Sequence, residues 1–133
     1  MHTGGCHCGQ VRYESRGAPR FALICHCRDC QRSSGTAGVP VLGVPKAEFI
    51  VTGGTRTTES LGSSGKRGIR HFCAACGSLL FGTPEVAPDL VTVYAGSLDT
   101  LEAFTPTMAI FTRSRPAWAA LAQPWTEYEG APA

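Results

Sequence analysis

The stretch Cys25-His26-Cys27-Arg28-Asp29-Cys30-Gln31-Arg32 places three cysteines within six residues, and its reading governs the rest of the chain. Thiolates this close in sequence can gather on one ion without help from elsewhere. Moving outward, Cys6 and Cys8 stand near the start and Cys73 and Cys76 in the second half, so all seven cysteines fall into three clusters. Seven is odd, and a complete set of internal disulfides cannot use an odd number, so metal ligation is the better reading. Residues i and i+2 of a strand share a face, so each Cys-x-Cys pair can aim both sulfurs at one point if it lies on a strand. Cys73-Ala74-Ala75-Cys76 does the same from a turn, with Gly77 supplying backbone freedom.

Zinc takes four protein ligands where it is structural, and three plus an exchangeable position where it is reactive. Seven sulfurs divide naturally as four plus three. Cys6, Cys8, Cys73 and Cys76 then form a closed structural site, and Cys25, Cys27 and Cys30 a second site with one corner left over, giving two zinc ions per chain. Joining Cys25 and Cys27 to Cys73 and Cys76 is another partition, ranked lower because it strands three sulfurs far apart. Asp29 is a possible fourth ligand for the three-cysteine site. His26 falls on the opposite strand face from its neighbours, and His7 and His71 are read as hydrogen-bonding beside the ligands.

A length of 133 residues suits one domain, residues 1–133. Hydrophobic residues at 43% against 17% charged mark a globular chain rather than a disordered one. A formal charge of +2, with Lys and Arg scattered, argues against a nucleic-acid partner. No apolar run approaches the roughly 20 residues that span a bilayer, and the opening residues lack an export signal. The expected location is the cytoplasm, where thiols stay reduced.

Sixteen Gly and nine Pro punctuate short apolar runs, a pattern of brief strands rather than long helices. Strands are expected over Val11–Glu14, Phe21–Cys25, Thr36–Val44, Glu48–Thr52, Arg56–Leu61, Ile69–Phe72, Ser78–Phe81 and Leu90–Ala95. The last has the cleanest β-branched and aromatic alternation. One or two helical turns are expected over Asp29–Ser34, stopped by Gly35, and a short helix from Pro116 to Leu121. Residues after Pro124 read as a loose tail. The aromatic residues Phe72, Phe81, Tyr94, Phe104 and Phe111 are assigned to core, and Trp118 and Trp125 to clamping the C-terminal segment.

Gly5-Cys6-His7-Cys8-Gly9, the Cys25–Arg32 stretch and Arg70-His71-Phe72-Cys73-Ala74-Ala75-Cys76-Gly77-Ser78 together resemble the GFA family. That family is named for glutathione-dependent formaldehyde-activating enzyme and includes the centromere protein V type domain. The resemblance covers nearly the whole chain, because the three cysteine groups follow in family order. It implies an all-β fold of stacked small antiparallel sheets, the β-tent. It also implies structural zinc on Cys6, Cys8, Cys73 and Cys76 and catalytic zinc on Cys25, Cys27 and Cys30. Two departures are visible: Ala109 stands where many members carry a His before the Ile-Phe pair, and Pro116-Ala117-Trp118 replaces the commoner Ala-Pro-Trp order.

The activity implied is a zinc-dependent carbon–sulfur lyase, or its reverse, handling the adduct of a small thiol such as glutathione with a small aldehyde such as formaldehyde. Zinc would hold the incoming sulfur as a thiolate and orient it toward the aldehyde carbon. Arg28, Arg32, Arg113 and Arg115 are the candidates to pair with the thiol's carboxylates. The alternative from another class is a non-catalytic thiol carrier, or a structural zinc module, on the same scaffold.

Overall fold

The structure is a computed structural model that describes residues 1–119 and 125–132. Its strands form two sheets. The smaller is antiparallel, in the order β1 (His2–Gly5), β2 (Arg12–Ser15), β5 (Phe49–Thr52). The larger has eight strands, in the order β11 (Thr126–Glu127), β10 (Met108–Ile110), β3 (Phe21–Cys25), β4 (Val39–Pro45), β9 (Leu90–Tyr94), β8 (Leu79–Gly82), β7 (Arg67–Cys73), β6 (Thr55–Leu61). One helix, α1 (Arg28–Ser34), follows β3. The all-β expectation therefore holds, and no described helix is long and apolar enough to cross a membrane.

Period-two alternation sorts the large sheet's side chains between two cores. Leu42, Val44, Val91 and Val93 point to one face and pack with Val11, Tyr13, Leu80 and Phe81. Phe49 carries the smaller sheet into this core, its ring 5.4 Å from Tyr13 and 4.9 Å from Phe81. Leu23, Cys25, Val39, Val41, Tyr94 and Ile110 point to the other face. That second face carries the three-cysteine cluster, so one sheet supplies both the main core and the floor of the site.

Three strands had no sequence signal. β1 is poor in strand formers, yet Gly4 is buried because Tyr13 and the Ser97 carbonyl lie where a Cβ would stand. β10 runs parallel to β3, with Met108 opposite Leu23 and Ile110 opposite Cys25. The expected tail is a correction: β11 pairs in parallel with β10, and the Tyr128 N–H donates to the Ala109 carbonyl at 2.9 Å. Strands of two or three residues are too short to show a period. Trp118 is also corrected: at 81% exposed it clamps no segment among the described residues. The helix expected after Pro116 is a single 3₁₀ turn over Ala117–Ala119, and its Ala120 and Leu121 lie outside the described residues.

Candidate metal centres and cavity

Cys25 is the last residue of β3, and the chain turns at once into α1. Cys27 caps the helix in an extended conformation, and its Sγ accepts the Cys30 N–H at 3.3 Å. A thiolate in place of the usual hydroxyl or carboxylate cap keeps that sulfur pointed at the first helical turn. The helix stops at Gly35, whose left-handed φ of 73° frees its N–H to reach the Gln31 carbonyl. Buried Gln31 anchors α1, donating from Nε2 to the Ala37 carbonyl at 3.1 Å and the Ser114 carbonyl at 3.0 Å. Strand end, cap and first turn thereby bring the sulfurs of Cys25, Cys27 and Cys30 within 4.8 Å of one another. Zinc–sulfur bonds of about 2.3 Å set tetrahedral sulfurs about 3.8 Å apart, so the group fits that ion.

No fourth His, Cys, Asp or Glu joins this group among the described residues. His26 is turned away, its Nδ1 2.9 Å from the Ala37 carbonyl. Asp29 stays outside the sulfur group. The three thiols cannot all ionise unaided. The neighbouring Cys25 and Cys30 thiols pull the Cys27 pKa down to about 2. Cys25 is pushed far up by the same Cys27 and Cys30 neighbours and by burial. A divalent cation is what would let three buried sulfurs carry charge together.

The second group is built from two matching turns. Cys6 and Cys8 lie on a turn after β1, not on the expected strand, and the Gly9 N–H closes it on the Cys6 carbonyl at 3.2 Å. Gly77 closes the other on the Cys73 carbonyl at 2.9 Å. Both glycines have left-handed φ, 82° and 79°, which a side chain would resist. The Cys6 and Cys8 sulfurs are 3.5 Å apart and those of Cys8 and Cys73 3.8 Å, with all four inside 4.8 Å. The Val11 N–H donates to the Cys6 sulfur and lowers its pKa, and the Ser78 hydroxyl and N–H bring Cys76 down to about 5. His71 packs on Phe81, ring centroids 4.4 Å apart, with Nε2 2.9 Å from the Thr83 hydroxyl. His7 contributes its backbone N–H to the Ser78 hydroxyl at 3.1 Å.

A cavity of about 740 Å³ stands over the three-sulfur group and includes Cys25, Cys27 and Cys30 in its wall. Phe21, Leu23, Val41, Met108 and Ile110 make its apolar side, and Arg28, Lys66, Arg67, Arg70 and Arg113 its cationic one.

Residues 1–114 match the family of glutathione-dependent formaldehyde-activating enzymes, GFA. The chain belongs to this family. A curated relative from Halomonas elongata, named "Putative glutathione-dependent formaldehyde-activating enzyme", is 30% identical over 104 residues, covering 72% of this chain. The chain spans 64% of that relative's length. The crystal structure of a Rhodobacter sphaeroides protein superposes with a TM-score of 0.57 at 17% identity, covering 95% of this chain and 98% of the other. That likeness concerns the fold.

Of the four arginines singled out in this GFA sequence, Arg28 and Arg113 line the cavity and two do not. Arg32 is exposed on α1, and Arg115 forms an ion pair with Glu127. Sequence reasoning passed over Arg70, the most telling cation of the site. It is 8% exposed on β7, donates from Nη1 to the Ser60 hydroxyl at 2.7 Å and from Nη2 to the Cys30 sulfur at 3.7 Å. It pairs with no carboxylate among the described residues. Burial works against its charge, but Tyr94, Cys30 and Cys27 outweigh this and raise its pKa. A charged residue inside an otherwise half-buried strand was the available signal. Tyr94, assigned to core, also faces the cavity, and burial holds its hydroxyl protonated to about pH 12.

Proposed function

We propose that this GFA protein is a zinc-dependent carbon–sulfur lyase acting on the adduct of glutathione, or a similar thiol, with a small aldehyde such as formaldehyde. The observation that carries the reading is the contrast between the two sulfur groups: four sulfurs gather within 4.8 Å of one another, enough to close a tetrahedral site, and three stand at a cavity wall without a fourth protein ligand among the described residues. Zinc held by Cys25, Cys27 and Cys30 would supply an exchangeable position that stabilises an incoming sulfur as its thiolate.

The chain's own residues do the rest. Arg70 sets a fixed positive charge against Cys30, offsetting the negative charge that a further sulfur would add. Arg28, Lys66 and Arg113 give the cavity cations for the carboxylates of a thiol such as glutathione. Arg67 is partly engaged already, bonded to Glu59 and Glu85. Tyr94 keeps its proton and is the donor we assign to the adduct's oxygen. The apolar wall limits water around that carbon.

The test compares adduct exchange between glutathione and formaldehyde, followed by NMR line shapes, with and without zinc-loaded protein. Acceleration is expected for wild type and lost in Cys27→Ser. No acceleration at stoichiometric zinc rejects the enzyme reading and leaves a thiol-binding carrier.

A further inference from the structure

The strand register arranges the cavity's apolar side into a continuous surface. Met108, Leu23, Val41 and Tyr94 are successive partners across β10, β3, β4 and β9, so they form one row on one face of the sheet. Ile110 and Cys25 are partners in the next row, which puts one of the three sulfurs at the border of this apolar strip. Phe21 extends it, lying over Gly43, where a Cβ would collide with its ring. Formaldehyde adds a single carbon to a thiol, and glutathione presents two carboxylates and two peptide groups. Neither offers this strip a complementary surface.

Phe111 adds an independent observation. It is the only described residue other than glycine with positive φ, at φ 54° and ψ 39°. Phenylalanine gains nothing locally from that conformation. Hydrogen bonds from its N–H to the Gly130 carbonyl at 3.0 Å and from the Thr112 N–H to the Tyr128 carbonyl at 3.0 Å hold it there. The result is a half-buried ring in the cavity wall, with the Arg113 guanidinium 5.9 Å from its centroid. Backbone strain that delivers an aromatic ring to a cavity is the kind found at ligand-binding sites.

We propose that this strip, completed by Phe111, receives an apolar alkyl or aryl group on the sulfur-bound carbon, so that the favoured ligand is the thiol adduct of an apolar aldehyde rather than of formaldehyde. This rests on the reading that the three-sulfur site takes a thiol. Such an adduct forms by addition alone: the sulfur–carbon bond is made, the carbonyl π bond becomes C–OH with the thiol's proton, and no oxidant or reductant enters. The cavity volume of about 740 Å³ falls within the range of pockets that enclose drug-sized molecules.

The test uses two stable adduct mimics on the zinc-loaded protein, S-methylglutathione for the formaldehyde adduct and S-benzylglutathione for an aryl one, with free glutathione as reference, all by calorimetric titration. S-benzylglutathione is expected to bind roughly tenfold or more tighter than S-methylglutathione. Phe111→Gly, which accepts positive φ freely, is expected to cut that preference to below about threefold. Met108→Gln on the same strip should reduce it as well. Equal affinity of the two mimics in wild type, with free glutathione binding, overturns this proposal and leaves the thiol reading standing. A preference untouched by both substitutions overturns it too. Failure of free glutathione and both mimics to bind overturns both readings.

Discussion

Replacing Arg70 by Gln asks whether the chain supplies the charge that the three-sulfur site needs. The guanidinium sits 3.7 Å from the Cys30 sulfur, is 8% exposed and has no carboxylate partner among the described residues. A unit charge at that distance is worth about 4 kcal/mol at an effective dielectric constant of 20. Part of this is returned because burial of the cation is relieved in the variant. A hydrogen bond to a charged group contributes about 1.5–3 kcal/mol net. Glutathione affinity should therefore fall roughly 10- to 150-fold. Calorimetric titration of the zinc-loaded protein measures this, with metal content determined on the same sample. Arg70→Lys keeps the charge and should recover a large part of the loss, whereas a purely structural role would not distinguish Lys from Gln. Unchanged glutathione affinity in Arg70→Gln, with zinc retained, would refute the reasoning.

Three further expectations concern metal and stability. Metal analysis should find about two zinc ions per chain, falling to about one in Cys27→Ser while far-ultraviolet circular dichroism stays native. Cys73→Ser should instead cost folded structure together with its zinc, seen as a lowered unfolding temperature; a Cys73→Ser protein as stable as wild type would contradict the structural assignment. Tyr13 is 4% exposed, and burial raises its phenol from the usual 10 to about 12. The unfolded chain then ionises first, so the contribution is whole below pH 10 and is lost as pH rises toward 12, amounting to roughly 2 kcal/mol. Urea unfolding at pH 9 and pH 11.5 should show this loss, and Tyr13→Phe should reduce it by about that amount while the similar share from buried Tyr94 remains, despite removing the hydrogen bond to Ser97.

Much of the sheet was legible because its central strands carry their own signal. β3 is the run Phe21–Cys25 as read, and β9 differs by one residue, since buried Val91 and Val93 alternate with Thr92 facing the other way. The parallel edge of β10 and β11 was not legible, because pairing there is specified by partners over 80 residues and 18 residues away. The grouping of sulfurs was argued from strand geometry for Cys6 and Cys8, yet a turn closed by Gly9 brings them together instead. Spacing limits distance without naming the backbone path. The candidate arginines lie beside the third cysteine and in the closing segment, and of these Arg28 and Arg113 line the cavity. Arg70 escaped because it reaches Cys30 from a strand 40 residues on, through tertiary structure alone.

The two sulfur groups differ in how the chain delivers them, and that difference bears on reactivity. Cys8 and Cys73 are 65 residues apart, so a cation there would close a long loop and its binding energy would become folding energy. Such an ion would not exchange a ligand without loosening the fold. Cys25, Cys27 and Cys30 come from one continuous turn whose helix is fastened by Gln31 to Ala37 and Ser114. Those bonds use backbone carbonyls and no sulfur, so this anchorage of the helix does not depend on a bound ion. Preorganisation of this kind is what lets a ligand come and go at a metal centre without a conformational cost. The division of the seven cysteines thus follows loop length: the long closure suits permanence, and the short one suits exchange.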